Sequence, residues 1–222
     1  MIKLSDRILV NNHQFIAINK PGGTPVQPDP TGDSAMTNWA ESYCKTPIFL
    51  VHRLDRPTSG IVLMAKNKTA LEGLNEQFRD RSIRKSYLAI TANKPDPESG
   101  ELNQFLKKTA TDKVKITNEE IPGSQAVSLS YKLLASSDNY HLLEITPVTG
   151  RLHQIRAQLA SIGCPIKGDV KYGARRNNED RSIHLHAWKL SLKHPISGEA
   201  ISLKADLPED ALWQFFGESL TS

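Results

Sequence analysis

Five consecutive apolar residues, Ile61-Val62-Leu63-Met64-Ala65, follow directly on the loop Val51-His52-Arg53-Leu54-Asp55-Arg56-Pro57-Thr58-Ser59-Gly60. A short unbroken apolar run bounded by turn residues reads as a buried strand. Within the loop, Pro57 fixes its own φ and biases Arg56 towards extended geometry. Thr58 and Ser59 offer hydroxyls to nearby backbone groups, and Gly60 permits a positive φ. Asp55 is therefore expected on a shaped loop ahead of a core strand, where geometry can be held rigidly. A carboxylate between two guanidinium groups can serve as a nucleophile or base, and the arginines can grip phosphate. A loop ion pair is the plainer reading of the same residues.

The rest of the chain alternates strand and helix signals. Arg7–Val10 and Phe15–Ile18 read as two strands joined by a turn, and Lys20-Pro21-Gly22-Gly23 ends the second in a sharp turn that carries a lysine. Asp33 or Ser34 is expected to cap a helix running to about Lys45, with Met36, Trp39, Ala40 and Tyr43 on one face. Asn67 is expected to cap a second helix from about Lys68 to Arg81, with Leu71, Leu74 and Phe78 as its buried stripe. Lys85–Ile90 alternates as a strand, with Tyr87 and Ala89 on one face. Val127–Leu133 and Tyr140–Ile145 read as an antiparallel pair across the turn Ser136–Asn139. Asn93–Gln125 is polar, and short strands with a mobile loop are expected there.

A third helical period follows Thr149-Gly150, where Leu152, Ile155, Leu159 and Ile162 fall on one stripe. Arg156 flanks that stripe. A guanidinium in such a place needs a carboxylate, because an unpaired buried charge is costly. Downstream, Cys164–Gly173 reads as a supporting loop, and Arg175 and Arg176 as solvated or phosphate-contacting residues. Ile201, Leu203 and Ala205 suggest a closing strand, and Pro208 to about Phe216 a terminal helix. His184, His186 and His194 lack the spacing of a metal site, so no metal is expected.

Composition excludes several classes. The 222 residues are 38% hydrophobic and 23% charged, ordinary values for a globular chain. No apolar run approaches the roughly 18 residues of a membrane span, and the N-terminus lacks a secretory apolar core. Cys44 and Cys164 form no paired motif, which fits reduced thiols and a cytoplasmic location. A formal charge of +4 is compatible with a polyanionic partner without demanding one. Walker loops, dinucleotide fingerprints and Gly-x-Ser-x-Gly elbows are missing from the sequence.

The run His52-Arg53-Leu54-Asp55-Arg56-Pro57-Thr58-Ser59-Gly60 resembles the signature of the RluA-type pseudouridine synthases, His-Arg-Leu-Asp-x-x-Thr-Ser-Gly. Lys20-Pro21-Gly22-Gly23, Lys85-Ser86-Tyr87-Leu88-Ala89, Gly150–Arg156 and Gly168–Gly173 are similar to further motifs of that family, in the family's order. The resemblance implies one α+β catalytic domain over 1–222, built on a long mixed, largely antiparallel sheet with helices beside it and a central active-site cleft. It implies isomerisation of uridine to pseudouridine in ribosomal or transfer RNA, without metal or organic cofactor. A monomer without an N-terminal S4 domain is expected.

By that resemblance Asp55 acts on a flipped nucleotide, attacking it or removing a ribose proton. Arg156 pairs with Asp55, Tyr87 lies against the uracil, and Arg53 fills the space the nucleotide vacates. Lys20, His52, Arg151 and Gln154 are expected at the substrate. An RNA-binding module without catalysis, and a nucleoside or glycoside hydrolase using Asp55, are the alternatives.

Overall fold

Turn residues and caps divide the chain into short elements. The computed structural model describes residues 3–110 and 113–220. After a 3-10 turn at Leu4–Arg7 come β1 (Ile8–Asn11), β2 (Phe15–Lys20), α1 (Met36–Cys44), β3 (Phe49–Leu50), β4 (Ser59–Ala65) and α2 (Lys68–Arg79). There follow β5 (Arg84–Thr91), β6 (Ser99–Lys108), β7 (Val114–Thr117), β8 (Gln125–Ser136), β9 (His141–Pro147) and α3 (Gln154–Ser161). A 3-10 turn at Val170–Tyr172 precedes β10 (Leu185–Lys193), β11 (Ala200–Lys204) and α4 (Ala211–Glu218). The class is α+β, as the motifs imply. Two compact units form: one from the residues up to Lys85 with Ala187–Pro208, the other from Ser86–His186 with the residues from Glu209 onward.

In the first unit the strand order is β1-β2-β4-β10, with β11 on β10 and β3 on β4. β2 and β4 run antiparallel with Ile18 opposite Val62 and Lys20 opposite Gly60. Phe15, Ala17, Ile61, Leu63 and Ala65 share one face and meet Ala70 and Leu74 of α2. Ile16, Ile18, Val62 and Met64, on the opposite face, have no exposed surface either. β4 is thus covered on both sides, as its apolar run requires, and each such side chain contributes roughly 1.5–3 kcal/mol. Gly60 has φ +108, and a Cβ there would strike the backbone of Ala187. Only glycine lets β4 enter its strand at this point.

The expected caps are half right. Asn67 Oδ1 accepts the Ala70 N–H at 2.8 Å and starts α2. α1, by contrast, is capped by neither Asp33 nor Ser34. It begins at Met36, whose N–H donates to the Pro25 carbonyl, while Thr37 donates to Val26. Ser34 instead accepts the Trp39 indole N–H at 2.7 Å. Distant backbone has taken the role that a local side chain was expected to fill. Tyr43, placed on the buried stripe by period, is exposed.

In the second unit the order is β5-β9-β8-β6-β7, antiparallel throughout. Asn93–Gln125, expected as short strands and a loop, contains the ten-residue β6, which pairs with β8 from Ser99 to Leu106. Residues 111 and 112 of the expected loop lie outside the described residues. α3 is enclosed on nearly every side: Gln154, Ile155, Arg156, Ala157, Gln158 and Leu159 are all buried. Leu152, assigned to its stripe by period, precedes the helix and is exposed. The polar side chains of α3 must therefore find partners inside the unit.

Candidate active site

Asp55 lies half-buried on the loop before β4, and its carbonyl accepts the Thr58 N–H at 3.0 Å. The β2–β4 register brings Lys20 alongside this loop. Lys20 has no exposed surface. Its ammonium donates to the carbonyls of Pro21 at 3.0 Å, Thr24 at 2.8 Å and Arg56 at 2.9 Å, which uses all three hydrogens. Burial lowers its pKa from 10.5 to about 7, the charge of Asp55 pulls it back up, and Arg56 adds to the lowering. Sequence reading places Lys20 at the substrate; the structure encloses it, and what it holds is the loop that carries Asp55.

Arg56 is likewise spent on the fold. Its Nε donates to the Gly23 carbonyl at 2.9 Å, Nη1 meets Asp29 at 3.2 Å and Thr31 Oγ1 at 2.7 Å, and Nη2 pairs with Asp33. The Gly23 N–H returns a bond to the Arg56 carbonyl at 2.9 Å. The Gly- and Pro-rich segment 22–33 is thereby tied to the Asp55 loop. Arg53, the other flanking arginine, is exposed.

His52, expected at the substrate, also has internal work. Its Nε2 accepts the Leu63 N–H at 3.0 Å, and its ring packs against Phe78 with centroids 4.9 Å apart. Burial, with Lys85 nearby, lowers its pKa from 6.5 to about 3. The imidazole is neutral at physiological pH, and the bond from Leu63 assigns its proton to Nδ1.

Tyr87 and Arg156 belong to the second unit. Tyr87 is half-buried on β5 opposite Ile145, packed against the core that includes Ala89, Leu129 and Ile145. Arg156 donates from Nε to Asp169 Oδ2 at 2.7 Å and from Nη2 to Asp169 Oδ1 at 2.8 Å. The two side chains are 5% and 1% exposed. Such a two-pronged fork fixes the guanidinium plane as well as its position. The Tyr172 ring lies 5.1 Å from the guanidinium carbon, and its hydroxyl accepts the Val114 N–H at 3.0 Å and bonds His153 Nδ1 at 2.9 Å. The carboxylate that Arg156 requires is supplied by Asp169, from the loop Cys164–Gly173. Gly168-Asp169-Val170-Lys171-Tyr172-Gly173 is that signal in the sequence: its acid and its aromatic ring both meet Arg156.

Gln154 and Arg151 part company. Gln154 Oε1 accepts from Thr149 Oγ1 at 2.8 Å and from the Arg151 N–H at 3.0 Å, while Nε2 donates to the Ser128 carbonyl and to Gln158 Oε1. Expected at the substrate, Gln154 instead has every polar valence used within the unit and is buried. What it shapes is the turn that exposes Arg151 to solvent. His153, between them, holds a left-handed φ of 53 at the start of α3. That conformation costs a β-carbon residue of order 1–3 kcal/mol.

The fold is that of a pseudouridine synthase domain. The human protein RNA pseudouridylate synthase domain containing 4 superimposes with a TM-score of 0.77 at 28% identity, over 98% of this chain and 93% of that one. Human RNA pseudouridylate synthase domain containing 1 shares the fold, with a TM-score of 0.73 at 20% identity, over 97% of this chain and 95% of its own. The chain belongs to the RNA pseudouridylate synthase family, whose profile matches residues 14–161. It is an RNA pseudouridine synthase, an isomerase that makes pseudouridine from uridine. Ribosomal large subunit pseudouridine synthase C of Rickettsia felis is 37% identical over 212 residues, covering 92% of this chain and 68% of that protein. An uncharacterized RNA pseudouridine synthase of Bacillus subtilis is 33% identical, covering 92% of this chain and 69% of its own length. Neither the binding-only nor the hydrolase alternative finds support among these relatives. No helix among the described residues is long and apolar enough to cross a membrane.

Proposed function

We propose that this enzyme modifies large-subunit ribosomal RNA, with Asp55 as the group that acts on the target uridine. The names of its Rickettsia relatives, 34–37% identical, support the choice of RNA. The observation that carries the assignment of Asp55 is its bracing: Lys20, with every ammonium hydrogen committed, and the Arg56 zipper hold the loop from two sides. Holding an acting group in fixed geometry removes much of the entropic part of a barrier.

The reaction breaks the N1–C1′ bond, turns the uracil, and joins C5 to C1′. The hydrogen on C5 leaves and N1 gains one, so substrate and product are isomers. Asp55 attacks the nucleotide or removes a ribose proton, and Arg156 orients it as an ionic partner. Tyr87 lies on the uracil and assists removal of the C5 proton. Taking the nucleotide out of its stack costs a few kcal/mol, and the exposed Arg53 occupies the gap. Arg151 contacts phosphate, which positions the RNA without reading its sequence.

The test uses ribosomal RNA carrying tritium at C5 of uridine. Tritium release with the base retained is the expected result; release of free uracil would mean hydrolysis. Asp55→Asn is expected to abolish turnover and leave RNA affinity intact, and normal turnover by that variant would remove Asp55 from the mechanism.

A further inference from the structure

The segment from Pro165 to Asn178 has two employments. On one side it delivers the Asp169 carboxylate to Arg156. On the other it walls a groove of about 920 Å³, lined among others by Lys167, Arg175, Arg176, Asn139, Tyr140 and Asn178. That is near the top of the roughly 300–1,000 Å³ range of ligand sites. Among the described residues, three cations line the groove and no carboxylate does.

The groove is held in shape by a chain of hydrogen bonds. Lys167 Nζ donates to Asn178 Oδ1 at 2.8 Å. A lysine can only donate, so this bond fixes which end of the amide is which. Asn178 Nδ2 then donates to His184 Nδ1 at 3.0 Å, which leaves the ring proton on Nε2, 3.1 Å from Asp210 Oδ1. Asp210 in turn caps α4 through the N–H groups of Leu212 and Trp213. Gly168 completes the frame: it has φ +87, and a Cβ there would lie 2.8 Å from Asn178 Nδ2.

Arg175 and Arg176 stand on this frame exposed to solvent, and neither pairs with an acid among the described residues. Two exposed guanidinium groups lining one groove, without a carboxylate partner among the described residues, are suited to successive phosphates. Tyr140 adds an aromatic surface to the lining, and the amides of Asn139 and Asn177 can donate and accept as ribose hydroxyls and base edges require. Cations interleaved with an aromatic ring are the composition of a single-strand site.

We propose that this groove is a binding subsite for a stretch of the RNA other than the isomerised uridine, with Arg175 and Arg176 on its phosphates and Tyr140 against a base. The inference rests on the reading of the chain as an enzyme of RNA.

The test compares the full chain with Arg175→Glu/Arg176→Glu and Arg175→Lys/Arg176→Lys. Affinity for a fluorescein-labelled oligouridylate of about a dozen nucleotides is followed by anisotropy across salt concentrations, with turnover on tritiated ribosomal RNA in parallel. The glutamate variant is expected to bind about tenfold or more weakly, with the slope of log affinity against log salt shallower by about 1.4, two lost contacts at about 0.7 each. KM is expected to rise by a similar factor while kcat stays within about twofold. The lysine variant is expected to keep most of the affinity, since point charges still grip phosphate. Unchanged affinity and slope in the glutamate variant would overturn the subsite, as would an equal loss in both variants or a fall in kcat at constant KM. Altered affinity and slope in a protein that releases no tritium would keep the groove and remove the enzymatic reading.

Discussion

Asp169 is the residue whose removal tests most directly how the second unit holds its arginine. In Asp169→Ala, the buried guanidinium of Arg156 loses both acceptors of its fork, at 2.7 and 2.8 Å. Both partners are almost wholly out of solvent, at 5% and 1% exposure, so water cannot replace the lost bonds without opening the core. Removing one member of a buried pair costs about 3–5 kcal/mol. Against a total stability of about 5–15 kcal/mol, that is a large fraction. In a chain of this size each kcal/mol lowers Tm by about 2–4 °C, so the expected drop is about 6–20 °C. Asp169→Asn keeps the volume and one acceptor but turns an amide N–H towards the guanidinium, and is expected to lie at the lower end of that range. Urea denaturation followed by circular dichroism, with calorimetry for Tm, measures both. If Arg156 orients Asp55, kcat of the asparagine variant also falls while KM holds. A Tm change under about 2 °C in Asp169→Ala, with the m-value unchanged, would refute the reasoning, because the fork would then carry no net energy.

His52 makes an acid-sensitive joint. Its pKa is about 3 when folded, lowered by burial and then by Lys85, against the 6.5 of an unperturbed imidazole in the unfolded chain. Between those values the unfolded chain holds the proton and the folded chain does not, so stability is complete above about pH 6.5 and falls as pH drops towards 3. At about 1.4 kcal/mol per pH unit, wild type is expected to lose about 2–3 kcal/mol more than His52→Gln between pH 6.5 and 4.5; parallel urea midpoints for the two proteins would contradict this. Gly60→Ala forces a Cβ into the Ala187 backbone at φ +108 and is expected to cost about 3 kcal/mol or more. Gly198→Ala, at φ +75 with nothing within 4 Å, isolates the conformational part; equal midpoints for the two variants would show that the close approach of β4 to Ala187 is unimportant.

Locally determined features were legible in advance. Asn67 was readable as a cap because the bond it makes spans three residues. The hairpin of β8 and β9 was readable from alternation around a four-residue turn, and the buried strand β4 from its apolar run. Sequence motifs also carried the family, since several signatures rarely fall in the same order in one chain by chance. The cap of α1 was not legible, because backbone at Pro25 and Val26 supplied what Asp33 and Ser34 were expected to supply.

Motif content thus carried the class of fold and the family. Which charges meet was decided only in three dimensions. Periodicity does not mark Asp169 as a partner of Arg156, thirteen positions earlier, or Asp29 and Asp33 as partners of Arg56. Lys20 and Gln154 carry the polar groups of substrate contacts, yet the register of β2 on β4 and the burial of α3 turned both inward. Caps and periods act over three or four residues, whereas burial and ion pairing depend on register between segments far apart in the chain, and that register exists only once the tertiary structure has formed.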